Sequence, residues 1–176
     1  MNTHTERDML DALRRRYTAE LGNGDRWIRA EHVRNGTGFY GYHPDMKYGP
    51  LRTADFVAID GWESKQHVTH GHEVKVSRSD WLTELRDPEK AEAFRPYFDY
   101  WWLVVSDKAF VKDGELPHGW GLMAQMGTAL RVVKQAPRNL KKLPLPWSMN
   151  VGLMRAIQKT GLRNGVSDAT DNTKEI

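Results

Sequence analysis

The stretch His67-Val68-Thr69-His70-Gly71-His72-Glu73-Val74-Lys75-Val76 decides how this chain is read. It alternates as a β-strand does, with successive side chains pointing to opposite faces. Glu73 and Lys75 therefore project together, while His70, His72, Val74 and Val76 face the other way. A carboxylate stands beside an ammonium on one side, and the histidines pack or line an edge on the other.

Upstream, 52–60 predicts a second strand, with Asp55 inside the apolar run Phe56, Val57, Ala58, Ile59. A buried carboxylate is costly to leave unpaired, so Asp55 needs a cation or hydrogen-bond donors. If the two strands are neighbours, Asp55 and Glu73 converge. Two carboxylates in close contact repel when both are ionised, and a hard divalent cation with oxygen ligands, Mg²⁺ or Mn²⁺, relieves that repulsion. Such an ion acidifies a bound water and neutralises a phosphate, which are the needs of phosphodiester hydrolysis. Lys75 is then expected to orient the water and stabilise charge rather than act as a general base.

Downstream, Ser79 is expected to cap a helix with Trp81, Leu82 and Leu85 on its core face, and Asp87-Pro88 to start another. The continuous apolar run Tyr100-Trp101-Trp102-Leu103-Val104-Val105 has the pattern of a central strand covered on both faces. Further strands are expected at 120–124 and 130–133. A connection through Pro144 and Pro146 then leads to a last helix from Ser148 to Asn164-Gly165. At the other end, Met9, Leu10, Leu13, Tyr17 and Leu21 recur at helical spacing behind a Thr5/Asp8 capping box. Gly22-Asn23-Gly24 ends that helix. A second one is expected from Asp25 to Asn35-Gly36, carrying Trp27 and Glu31, followed by a short strand at 39–42 and a loop at 43–50. The expectation is a single α/β domain over 1–165, with a mixed central sheet flanked by helices and a polar, disordered tail over 166–176.

The chain has 176 residues, no cysteine and a formal net charge of +3. Disulfides and thiolate zinc sites are therefore excluded, and no apolar run is long enough for a membrane span, so a soluble cytoplasmic protein is expected. The basic residues cluster at Arg14-Arg15-Arg16 and between Arg131 and Lys142, where no acidic residue intervenes. Such clusters serve either as a solvated surface or as a track for phosphates. His67, His70 and His72 invite a zinc reading, but strand alternation turns His70 and His72 away from Glu73 and no fourth ligand is at hand. Most of the seven tryptophans fall in buried patterns. Trp62, in a connection, is the one placed to stack on a base.

Ala54-Asp55-Phe56, Glu73-Val74-Lys75 and Ser77-Arg78-Ser79-Asp80-Trp81-Leu82 together resemble the PD-(D/E)XK nuclease superfamily, and more narrowly the MmcB-like DNA repair proteins and related phage-encoded proteins. The resemblance spans roughly 26–136, with Ala54 where the motif's proline would stand. It implies a restriction-endonuclease-like core, α-β-β-β-α-β, with extra N- and C-terminal helices, and metal-dependent hydrolysis of DNA in repair or recombination. A phage-encoded protein would act in the host cytoplasm. By the same resemblance Asp55 and Glu73 are metal ligands, the Val74 carbonyl a further ligand, Lys75 the catalytic lysine and Glu31 an accessory acid. Lys90 takes the place of a glutamine, with Tyr97 following, in a substrate-binding signature of RecB-type relatives; Arg78 is placed to reach a phosphate. A homodimer is compatible with this pattern. The competing expectations are a non-catalytic nucleic-acid-binding or assembly protein on the same fold, and a hydrolase of another phosphate ester.

Overall fold

The computed structural model describes residues 4–20, 26–42, 49–87 and 89–171. Helix α1 (Glu6–Arg15) opens on the expected capping box. Thr5 Oγ1 accepts from the Asp8 N–H at 3.2 Å, and Asp8 Oδ2 accepts from the Thr5 N–H at 2.7 Å. Met9, Leu10, Ala12 and Leu13 form its buried stripe, and a π-helical turn over Arg16–Glu20 extends it to bury Tyr17. The glycines and aspartate expected to separate two helices here lie outside the described residues.

The helix expected over 25–36 is instead strand β1 (Trp27–Arg34), paired antiparallel with β2 (Thr53–Asp60). Local spacing suggested a helix, but Trp27, Ile28 and Val33 suit a pleated, half-buried surface, and cross-strand pairing overrides weak helical propensity. The register runs from Trp27↔Asp60 to Glu31↔Phe56 and resumes at Val33↔Ala54; His32 between them has φ +53°. A left-handed backbone is unusual for a residue with a side chain. It falls opposite Asp55, where the candidate site begins. The short strand expected at 39–42 is a single bridge, Gly41↔Gly49, with Phe39 and Tyr40 exposed. Most of the loop expected at 43–50 lies outside the described residues.

Strand β3 (Thr69–Lys75) pairs antiparallel with β2 and parallel with β4 (Tyr100–Val105), which is parallel to β5 (Trp120–Met126). Strand β6 (Ala129–Lys134) closes an edge antiparallel to β5, so the sheet runs β1 to β6 in chain order. Gly71 lets the Trp101 ring lie across β3; a Cβ there would sit 2.3 Å from the ring. Helix α2 (Arg78–Leu85) follows β3 directly. Its cap is Ser77 rather than Ser79, with Ser77 Oγ accepting from the Asp80 N–H at 3.1 Å, and the helix begins at Arg78, two residues before a cap at Ser79 would start it. The short α3 (Glu89–Glu92) comes next.

The last helix, α4 (Trp147–Asp171), continues past the expected stop at Asn164-Gly165 and into the segment expected to be a tail; 172–176 lie outside the described residues. The chain is thus a mixed α/β fold with two cores. One joins α1 and Tyr17 to Phe56, Val74, Trp102 and Val104. The other joins Trp81, Phe94, Met149 and Ala156 to Val57, Trp101, Leu103 and Val105. No described helix is long and apolar enough to cross a membrane.

Candidate active site

Pairing between β2 and β3 stops at Phe56↔His72, one step before Asp55 would meet Glu73. With no strand partner to occupy, the Asp55 carboxylate turns onto the next backbone group, and Oδ2 accepts from the Val74 N–H at 2.8 Å. Burial raises the Asp55 pKa; Val74, Lys75 and Lys90 pull it down, and Glu6 pushes it up. Glu73 is 1% exposed. Burial first, and Asp55 second, push its carboxyl up to about 7.

Both ammoniums near Glu73 sit on the same oxygen. Oε1 accepts from Lys75 Nζ at 2.6 Å and also from Lys90 Nζ. The same two lysines reach Glu84 Oε2, each at 3.0 Å. Glu84 belongs to α2, whose position directly after β3 brings that carboxylate over the end of the strand. Burial opposes the charge of Lys75 and of Lys90, but Glu73 and Glu84 outweigh it and hold both lysines protonated. Burial likewise opposes ionisation of Glu84, and the two ammoniums overcome it, so Glu84 lies below the usual carboxylate range.

With Glu73 ionised, two cations balance two carboxylates, and Asp55 is left over. Among the described residues no cationic side chain pairs with it. Donor atoms of Glu6 and His32 lie with its carboxylate inside a group whose members are all within 4.8 Å of one another. Within it, His32 Nδ1 stands 3.9 Å from Glu6 Oε1, so an imidazole and two carboxylates face one another at this end of β2. A cleft of about 430 Å³ opens here, lined by Asp55, Val74, Lys75, Glu84 and Lys90, with Glu6, Asp80 and Asp87 adding negative charge.

The structure therefore brings together Asp55, Glu73, Val74, Lys75 and Lys90. It does not bring in the others. Glu31, on the edge strand β1, is held by Arg7 (2.7 Å to each carboxylate oxygen) and by Arg163, and its backbone N–H donates to Thr160 Oγ1. Its side chain is spent on arginines rather than on Asp55. Arg78 is paired to Glu115 and donates to the Phe110 carbonyl at 2.6 Å, so it braces the segment after β4. Trp62 lies beyond the far end of β2, whose last residue, Asp60, is five positions and about 17 Å along the strand from Asp55. There it carries the Arg26 guanidinium 4.8 Å over its ring. Glu6, His32 and Glu84 were not singled out from sequence. An acidic first turn has an ordinary explanation in the helix dipole, His32 falls in a segment that reads as a helix, and the role of Glu84 depends on where α2 lands.

The histidines behave as strand alternation requires. His72 is fully buried, with Nδ1 3.1 Å from the Phe56 carbonyl and Nε2 2.9 Å from the Tyr17 hydroxyl. His70 stacks on Tyr100 and accepts from Trp102 Nε1 at 3.1 Å. Neither faces the cleft. His67 Nδ1 sits 3.1 Å from the Asp60 carbonyl, at the opposite end of β3.

No protein-family model matches the chain, and no curated protein does. Among solved structures, the chain is similar to the SPO1766 protein of unknown function from Silicibacter pomeroyi, at 15% identity and a TM-score of 0.59, over 100% of this chain and 98% of that one. The likeness extends the mixed α/β fold to a second protein and carries no activity with it.

Proposed function

We propose that the protein is a Mg²⁺- or Mn²⁺-dependent nuclease that hydrolyses DNA phosphodiester bonds, on a restriction-endonuclease-like core of the PD-(D/E)XK type, with a role in repair or recombination. The observation that carries this reading is the uncompensated carboxylate. Lys75 and Lys90 neutralise Glu73 and Glu84, whereas Asp55 and Glu6 converge with His32 and have no lysine or arginine between them. The excess negative charge suits one divalent cation.

Asp55 and Glu6 would hold the ion, joined by Glu73 once its carboxyl has lost its proton, and Glu6 replaces Glu31 as the accessory acid. A bound divalent ion supplies a water of lowered pKa and charge neutralisation at a scissile phosphate. The chain's own groups do the rest. Lys75 is fixed between two carboxylates, which keeps its proton, so it donates to the attacking water or a phosphate oxygen and does not serve as a base. Lys90, bound to the same two carboxylate oxygens, adds a second positive charge for the developing phosphorane. The Val74 N–H fixes one oxygen of the Asp55 carboxylate, and Asp55 lines the cleft.

One observation favours a second reading: the Glu73–Lys75–Glu84–Lys90 quartet is a closed set of salt bridges that needs no metal, as in a protein that binds nucleic acid without cutting it. Incubating the purified protein with single-stranded, duplex and branched DNA, with and without Mn²⁺, separates the two. The nuclease reading expects Mn²⁺-dependent cleavage that falls at least about 10³-fold in Glu73→Gln and in Lys75→Ala. Binding without cleavage on every substrate, together with no Mn²⁺ uptake by calorimetry, would overturn it.

A further inference from the structure

His32 faces two ways. Its ring is in the donor group with Glu6 and Asp55, and it also lines a second cleft, of about 230 Å³, between the end of β1 and helix α4. The two clefts have opposite chemistry. Around the first, carboxylates predominate; around the second stand Arg34, Arg155, Lys159 and Arg163. Arg155, Lys159 and Arg163 are four residues apart along α4 and so form one stripe on the helix surface. Arg163 is paired with Glu31, but Arg34, Arg155 and Lys159 are exposed and have no carboxylate partner among the described residues.

The floor of this cleft is built by close packing. Gly152 of α4 lies against the Arg34 carbonyl, where a Cβ would come within 2.5 Å, so the helix seats directly on the strand end. On the rim, Gly38 lines the cleft with φ +83°, and the next residue, Phe39, is 94% exposed. A large aromatic ring left in water one residue beyond the rim of a cleft lined by three cations without carboxylate partners fits a ligand that has both a negative backbone and flat apolar faces.

We infer that the β1/α4 cleft is a binding track for single-stranded polynucleotide, with Arg34, Arg155 and Lys159 on successive phosphates and Phe39 stacked on an unpaired base. The track leads the strand past His32 to the Asp55 site. The choice of single strand follows from the cleft's small volume and from the ring, since a base face is free to stack only when it is unpaired. The inference rests on the nuclease reading for what happens at Asp55, but not for the binding itself.

Fluorescence anisotropy with a labelled oligothymidylate in EDTA tests it without any cleavage. Arg155→Ala/Lys159→Ala should raise Kd about tenfold and make the plot of log K against log salt shallower by about 1.4, two phosphate contacts at 0.7 each for a single strand. Phe39→Ala should raise Kd about fivefold with no change of slope, because stacking releases no counterion. The charge-matched pair Arg131→Ala/Lys134→Ala, on exposed β6, serves as the control for bulk charge and should move Kd less than twofold. All three variants change exposed side chains and should keep the wild-type melting temperature. Equal losses in the α4 and β6 pairs, an unaltered slope, or tighter binding of duplex than of single strand would overturn the track. If the wild type binds as expected yet cuts nothing with Mn²⁺, the track stands and the nuclease reading falls. If Mn²⁺-dependent cleavage is lost in Glu73→Gln while the α4 pair binds normally, the reverse holds.

Discussion

Strand β3 carries two buried polar clusters, one on each face, and they are satisfied in different ways. On the α1 side, His72 and Tyr17 meet as neutral groups; the imidazole spends both nitrogens, one on the Phe56 carbonyl and one on the Tyr17 hydroxyl. Burial pushes His70 down to about 4 and His72 well below its ordinary value, so both stay uncharged at neutral pH. On the α2 side, charged Lys75 and Lys90 meet Glu84 as an ion and Glu73 as a carboxyl that ionises at about 7, beside a cleft and next to Asp55. A neutral, closed network adds rigidity to a core. A charged one, beside a cleft and with the Asp55 carboxylate at its rim, carries a desolvation cost, a pattern shared by functional sites and by structural ion-pair networks.

The sharpest way to break this contrast is to exchange the consequences of mutation. His72→Ala removes a buried ring and strands the Tyr17 hydroxyl and the Phe56 carbonyl, which should cost about 3–4 kcal/mol of stability by urea denaturation. Per folded molecule, cleavage should be unchanged. Glu73→Gln should do the opposite, abolishing cleavage with a smaller change in the urea midpoint than His72→Ala, since the Glu73 carboxyl keeps its proton up to about pH 7 and the amide oxygen still accepts from the lysines. A Glu73→Gln protein that unfolds as readily as His72→Ala would reduce both clusters to structure.

Metal addition bears on one face alone. At pH 8 and a Mn²⁺ concentration about a hundredfold over Kd, binding to the native state adds about 2.7 kcal/mol and should raise the melting temperature. Asp55→Asn should remove that gain, and His72→Leu should keep it. A gain that survives Asp55→Asn places the ion elsewhere.

The two faces also have opposite pH signatures. His70 and His72 bind protons more weakly when folded than when unfolded, so their contribution is complete above about pH 6.5 and is lost as pH falls toward about 4 for His70. Glu73 binds its proton more tightly when folded, so its contribution is complete below the unfolded carboxyl value and is lost as pH rises through about 7. Each group contributes at most roughly 1.4 kcal/mol per pH unit. Between about pH 4.5 and 6.5, stability should therefore rise with pH more steeply in Glu73→Gln than in the wild type, and less steeply in His72→Leu. Urea midpoints at four pH values suffice to read the two slopes.

What the sequence revealed of this site follows from periodicity. Alternation along 67–76 separates Glu73 and Lys75 from the histidines, and the apolar run at 100–105 marks the strand beside them; both hold in the structure. Alternation is a property of one strand and can be read locally. Contacts between elements cannot. Glu84 and Lys90 meet Glu73 only because α2 and α3 fold back over the end of β3. Glu6 and His32 reach Asp55 only because α1 and β1 flank β2. Segment 27–34 reads as a helix for the same reason: Trp27 and Glu31 have helical spacing between two good helix boundaries, and the pairing partner that makes a strand of it lies some twenty residues onward.

The smallest effect concerns Trp62, which sequence reading placed near the site because it lies in the connection between the Asp55 and Glu73 strands. That connection joins the far ends of the two strands, as it must in an antiparallel pair, and the ring there is 46% exposed beneath Arg26, itself bound to Asp60. Trp62→Ala should cost about 0.5–1 kcal/mol through the lost cation–π contact. Cleavage of a short oligonucleotide confined to the Asp55 end should stay within about twofold of wild type, the ordinary effect of a surface change remote from the reacting atoms. A larger loss on that substrate would mean that nucleic acid crosses the whole sheet edge, and that the two ends of β3 act together.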